Sequence, residues 1–189
     1  MRIIWNGVAL LLASLVLSGL VSSGQDVPVA EPHTTGVFYY LDQDTEGLIA
    51  LQPQVAKEVT RSKAGGFGAR ETALSVPGAR STVRLPYGKP GVFVFAVEPG
   101  TNPYTYVQFF RLDVRKDTRE VLSTESVGGK RMNVLNRSQE RFRIAKHGAL
   151  SFKVVLQTPL WPGEYALSTP TSNLGYCFGV DDPNDVRRK

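Results

Sequence analysis

The sequence predicts an all-β fold, an antiparallel β-sandwich preceded by a signal peptide. Three observations carry this. Gly and Pro punctuate the chain about every ten residues after Gly36, between short β-rich runs, the spacing of a sandwich or barrel. Several runs alternate apolar and polar residues with period two, the mark of half-buried antiparallel strands. No long segment carries the 3.6-residue period of an amphipathic helix.

The chain opens with a short positive segment, Met1-Arg2, and an apolar run from Val8 to Val21. Small residues follow at Val21-Ser22-Ser23-Gly24, where a signal peptidase cuts. This reads as a secretory leader over residues 1–24, cleaved near Ser23 or Gly24. The competing assignment is an uncleaved anchor, because Ile3 to Val21 approaches the roughly 20 apolar residues that span a bilayer. Residues 25–35 are polar and Pro-containing, a flexible linker to a domain over 36–182, and residues 183–189 form a tail.

Within the domain, Gly36 to Leu41 reads as an aromatic strand with Leu48 to Leu51 as its hairpin partner. Gln54 to Ser62 is strand or irregular, since Val55 and Val59 have helical spacing but β-branched side chains. Ser81 to Leu85 is a strand ended by Pro86. Val92 to Val97 is apolar on both faces and therefore central and covered. From Tyr104 to Val114, Tyr104, Tyr106, Phe110, Leu112 and Val114 share one face and Arg111, Asp113 and Arg115 the other. Asp117 to Ser123 and Arg141 to Ala145 are less regular strands. Leu150, Phe152, Val154 and Leu156 oppose Ser151, Lys153 and Gln157. Tyr165 to Leu167 and Leu174 to Val180 close the domain. In the last strand Leu174, Tyr176, Phe178 and Val180 form a bulky face, and Gly175, Cys177 and Gly179 a face that another group can approach closely.

Leu160-Trp161-Pro162-Gly163-Glu164-Tyr165-Ala166 resembles the tyrosine corner of immunoglobulin-like and fibronectin-like sandwiches. The resemblance implies that the Tyr165 hydroxyl bonds backbone upstream, and it extends to the general sandwich only, because the disulfide of antibody-type domains is missing. Pro-Gly-Glu-Tyr-Ala-Leu followed by Tyr-Cys-Phe-Gly-Val-Asp is also similar to exported bacterial proteins of unassigned role, a likeness that implies compartment and fold.

The roughly 165 residues after the leader suit one domain with a real core. Cys177 is the single cysteine, which excludes an internal disulfide and a cysteine-based zinc site; in its apolar run it is expected to be a buried hydrophobe. The net charge is +5. Ten Lys/Arg stand against five Asp/Glu from Arg111 to Lys146. This reads as a solvated β surface, with anion binding through residues such as Arg137 and Arg141 as the functional alternative. No aromatic-interleaved nucleic-acid motif appears.

Asp42-Gln43-Asp44-Thr45-Glu46-Gly47 matches the opening half of a calcium loop, with Asp42, Asp44 and Glu46 as candidate ligands. The bidentate Glu of such a loop is replaced by Pro53, so a hairpin turn with Gly47 at positive φ is the expected structure. Only His33 and His147 are available as a base, and no Gly-x-Ser-x-Gly elbow exists, which argues against a serine hydrolase. Glu98, Glu125 and Glu164 are the carboxylates that a glycosidase would draw on. Ala64 to Ala69 is a glycine-rich loop whose Phe67 is a candidate anchor. Tyr87, Tyr104, Tyr106 and Trp161 have faces suited to sugar rings, with Trp161 the one expected near a surface.

The expected function is a non-enzymatic binding or structural module of the cell envelope or surface, secreted or periplasmic. It needs no cofactor, takes a protein or polysaccharide partner and no nucleic acid, and meets the membrane only if the leader stays. The alternative is a carboxylate-based hydrolase acting on polysaccharide.

Overall fold

A computed structural model describes residues 30–63 and 68–184. The leader, Phe67 and the end of the tail lie outside the described residues. Among those described, no helix is long and apolar enough to cross a membrane.

The described residues form fourteen strands, in order β1 (Phe38–Leu41), β2 (Leu48–Ala50), β3 (Pro53–Val55), β4 (Lys57–Ser62), β5 (Arg70–Pro77), β6 (Arg84–Leu85), β7 (Val92–Ala96), β8 (Gln108–Arg115), β9 (Thr118–Val127), β10 (Lys130–Asn133), β11 (Phe142–Lys146), β12 (Ser151–Leu156), β13 (Gly163–Ser168) and β14 (Leu174–Val180). They form two sheets. One is five-stranded, β11-β12-β7-β1-β2; the other runs β3-β14-β13-β8-β9-β5-β4, with β10 added to β9 and β6 to β14. The strand ladders are antiparallel except for β6 beside β14. The all-β antiparallel expectation therefore holds, in an arrangement compatible with a sandwich.

The five-stranded sheet packs on the β8-β13-β14 part of the long one. Its core is aromatic: Phe93 and Phe178 have ring centroids 4.6 Å apart, and Phe109 and Tyr165 stack on Phe178 at 5.9 and 5.6 Å. Each such buried side chain contributes roughly 1.5–3 kcal/mol. β7 is the central strand of its sheet, as its two apolar faces require, and the bulky face of β14 joins this core.

The long sheet also folds over itself. Val76 of β5 and Val121 of β9 pack with Phe110 and Leu112 of β8, Ala166 of β13 and Cys177 of β14 in a second core. Two bends allow it. Gln108 to Leu112 pair with β13, whereas Asp113 to Arg115 pair with β9. Val55 pairs with β14 and Lys57 with β5, with only Ala56 between them, and the Ala56 N–H donates to Asn173 O at 2.8 Å. One bent segment thus supplies both edges of the sheet, and the long sheet closes toward a small barrel, with strands crossing between its halves at corners. Gln54 to Ser62 is strand for this reason. It has sheet partners on both sides of Ala56.

Several expected details differ. The strand expected from Tyr104 starts at Gln108, because Asn102 caps a 3-10 turn at Pro103–Thr105 and leaves Tyr104 69% exposed. β8 is buried on both faces only at its start: Phe109 enters the inter-sheet core while Phe110 and Leu112 enter the barrel, and Arg111 and Asp113 to Arg115 are exposed. Leu150 is exposed and Ser151 buried, because Leu150 precedes β12 in its hairpin turn. In the β1–β2 turn the positive φ of 55° falls on Glu46, not Gly47.

Candidate functional site

Three polar or aromatic constellations stand out from the scaffold. The first is buried. Arg119 of β9 is fully enclosed, and its Nε donates to Gly78 O at 2.8 Å and its Nη2 to Gln54 Oε1 and Pro77 O at 2.6 and 2.9 Å. Its Nη1 donates to Ser81 Oγ and lies 3.5 Å from Glu164 Oε2. Glu164 accepts from the Ser81 N–H at 2.9 Å and hydroxyl at 2.5 Å, and from Arg84. Arg84 and Arg80 continue to Asp181 at 2.6 and 2.7 Å. The small face of β14 makes room: a Cβ on Gly179 would overlap the Arg84 guanidinium. A charge costs several kcal/mol to bury unless its hydrogen bonds are filled, and here they are. This cluster ties β3, β6, β9, β13 and the loop after β5 together, and every member is engaged with another. Glu164, a carboxylate considered for hydrolysis, is consumed in it.

The second is on the open face of β4, β5 and β9. Arg61 bridges Glu71 at 2.5 Å and Glu120 at 2.6 Å, and Arg115 approaches both. These bonds hold the Glu120 carboxyl below the usual range, Arg61 being the main cause. Glu125 is likewise lowered, by Lys63 and by Arg137 at 2.9 Å. A glycosidase acid needs the opposite shift. Glu98 accepts a bond from Thr35 at 2.8 Å.

The third is aromatic and open. Tyr87, Gly88, Thr158, Pro159, Leu160 and Trp161 line a surface depression of about 390 Å³. Trp161 is 67% exposed and Tyr87 43%. The loop that carries Trp161 is fixed from below: the Tyr165 hydroxyl donates to Trp161 O at 2.9 Å, the bond expected of a tyrosine corner, and Arg111 Nη2 donates to Pro162 O at 3.4 Å. Exposed indole on a held backbone offers a face that loses little freedom on binding.

The remaining candidates lie elsewhere. Arg137 is paired with Glu125; Arg141 is exposed just before β11 and makes no ion pair among the described residues. In the β1–β2 turn, Asp42 accepts from the Asp44 N–H at 3.0 Å and the Thr45 hydroxyl at 2.9 Å, bonds that lower its pKa. Asp44 is bound by Lys89 at 2.5 Å. Asp42 and Asp44 thus already have partners in the turn that they share with Glu46, and the described residues contain no cluster of three or more metal-ligating side chains. Cys177 is buried in the barrel, and burial pushes its thiol up to about 11. Sequence reading missed Arg119 as a buried charge; nothing in Thr118-Arg119-Glu120 separates it from an exposed Arg, and only the pairing of β9 inside the barrel does.

Comparison of the chain with protein-family models, with curated proteins and with solved structures found no match.

Proposed function

We propose that this chain is an exported, non-enzymatic module of the cell envelope or surface that binds a polysaccharide through Tyr87 and Trp161. One observation carries the reading: two exposed aromatic residues line a single depression that Thr158 also lines. Sugar rings present an apolar C–H face that packs on such π-surfaces, and their hydroxyls take up polar groups at the rim. The apolar leader supports export, and the Tyr165–Trp161 hydrogen bond supports an immunoglobulin-like corner beneath the site.

Affinity electrophoresis in gels containing cellulose, chitin, xylan or starch derivatives tests the reading. Retardation by at least one polymer is expected, and Trp161→Ala should abolish it while leaving the melting temperature unchanged. Unchanged migration in every gel, or retardation that survives Trp161→Ala together with Tyr87→Ala, would overturn it.

A further inference from the structure

The described chain starts at Ala30, and its first bonds all go to one place. His147 Nε2 donates to Ala30 O at 3.0 Å, and the Ala149 N–H donates to Glu31 Oε1 at 2.7 Å. The Ser151 hydroxyl donates to the other Glu31 oxygen. Gly148 fits beneath that carboxylate, because a Cβ there would overlap it. The turn between β11 and β12 therefore holds Ala30 and Glu31 in place. In sequence, only eight residues, Ser22 to Val29, separate the apolar run ending at Val21 from Ala30. Fully extended, they reach at most about 29 Å.

The outer face of the same hairpin is cationic, with the Glu31 carboxylate at its turn. The β11–β12 register sets Arg143 opposite Val155 and Ala145 opposite Lys153, so Arg143 and Lys153 are diagonal neighbours on one face. Lys146 lies at the end of β11, its Nζ 4.5 Å from the Phe152 ring centroid and donating to Ala149 O at 2.5 Å. Every ion pair among the described residues leaves these three cations out. At the turn, Leu150 is 54% exposed.

We propose that the β11–β12 hairpin docks on the anionic headgroups of a lipid bilayer, with Leu150 entering the interface and Arg143 and Lys153 at phosphate level. Charge complementarity selects this occupant, and where the leader is retained only eight residues separate its apolar run from Ala30 at the same turn. A basic surface beside an apolar side chain gains from headgroup attraction and from apolar burial together, and the attraction acts only within a Debye length. The inference is independent of the glycan site, which lies at the far end of β12, about 17–20 Å away.

The test is hydrogen–deuterium exchange of the Lys146–Ser151 amides in the full chain on vesicles. One set is pure phosphatidylcholine; the other contains about 30% phosphatidylglycerol, enough for a strongly negative surface. Met1-Arg2 of the leader also favours the anionic vesicles, so the hairpin's own charge is read from the double variant, which keeps the leader unchanged. Exchange should slow by about tenfold on the anionic vesicles and recover in about 0.5 M salt. The double variant Arg143→Glu/Lys153→Glu should lose the effect with its melting temperature retained, and Leu150→Ser should weaken it. Equal exchange on both vesicle types, or slowing that persists in the double variant, would overturn the proposal. Slowing by soluble heparin without slowing on anionic vesicles would assign the cations to a polysaccharide and equally overturn it.

Discussion

Arg119 and Tyr165 show how much single side chains decide in this protein. Arg119 is a guanidinium enclosed by protein on every side, with a carboxylate, a serine hydroxyl, an amide and two carbonyls around it. Removing it leaves Glu164 buried with half its counter-charge. Arg119→Met should therefore destabilise the domain by about 3–5 kcal/mol in urea unfolding, although the new side chain is apolar. A loss under about 1 kcal/mol would mean that water reaches the cluster. Tyr165→Phe keeps the ring in the core and deletes one hydrogen bond. It should cost about 1 kcal/mol and loosen the Trp161 loop, read as a red shift and broadening of tryptophan emission. Cys177 should stay unreactive to thiol reagents at pH 8 in the folded protein, because burial keeps its pKa near 11.

At the level of elements, the strands readable in the sequence are those with one unambiguous face. β7 has two apolar faces and is central; β14 divides its bulky residues from its glycines, and both sets lie where that division puts them. β5 was not legible. Arg70-Glu71-Thr72-Ala73-Leu74-Ser75-Val76 lacks clean alternation because one part lines the barrel and another pairs charges outside, and its register shifts at Thr72/Ala73. β8 misleads for a related reason: it turns from one half of the sheet to the other, so Phe109 and Phe110 are interior on opposite faces while Arg111 and Asp113 to Arg115 are exposed. The aromatic site was partly legible, since Pro162-Gly163 marks the corner that displays Trp161. Tyr87 is distant in sequence and joins only through the fold. Inside the barrel, small residues leave a cavity of about 50 Å³ lined by Val76, Phe110, Ala166 and Gly175. A Cβ on Gly175 would make contacts no closer than 3.6 Å. Gly175→Ala should thus stabilise β14 by about 0.5–1 kcal/mol, measured as a higher urea midpoint at constant slope. A lower midpoint would show that the barrel interior is already filled.

For the whole molecule, stability comes from an aromatic-rich core, a second and mainly aliphatic core and a set of ion pairs, with no disulfide between them. The pH response follows from the shifted groups. Glu120 and Glu125 are lowered from 4.5 in the folded state, so the stability they supply is present above pH 4.5 and is lost as pH falls through their folded values. Cys177 is raised from 9.0 to about 11 by burial, and its contribution is present below 9.0 and lost as pH rises toward 11. Tyr165 and Tyr176 act in the same sense above 10.0. Urea midpoints should form a plateau between about pH 5 and 9 and fall on both sides, and Glu120→Gln should flatten the acid limb. The two ends of β12 give the domain its polarity: a cationic hairpin with Leu150 at one end and the Tyr87–Trp161 depression at the other.

That polarity has its purpose only if the aromatic end binds sugar. Tryptophan emission of the full chain, followed during titration with the oligosaccharide of whichever polymer retards it most, reads the contact at Trp161 once the Trp5 signal of Trp161→Phe is subtracted. The account predicts a saturable blue shift that Tyr87→Ala weakens and Trp161→Phe removes. A spectrum unmoved by saturating sugar, or an unchanged shift in Trp161→Phe, would contradict it.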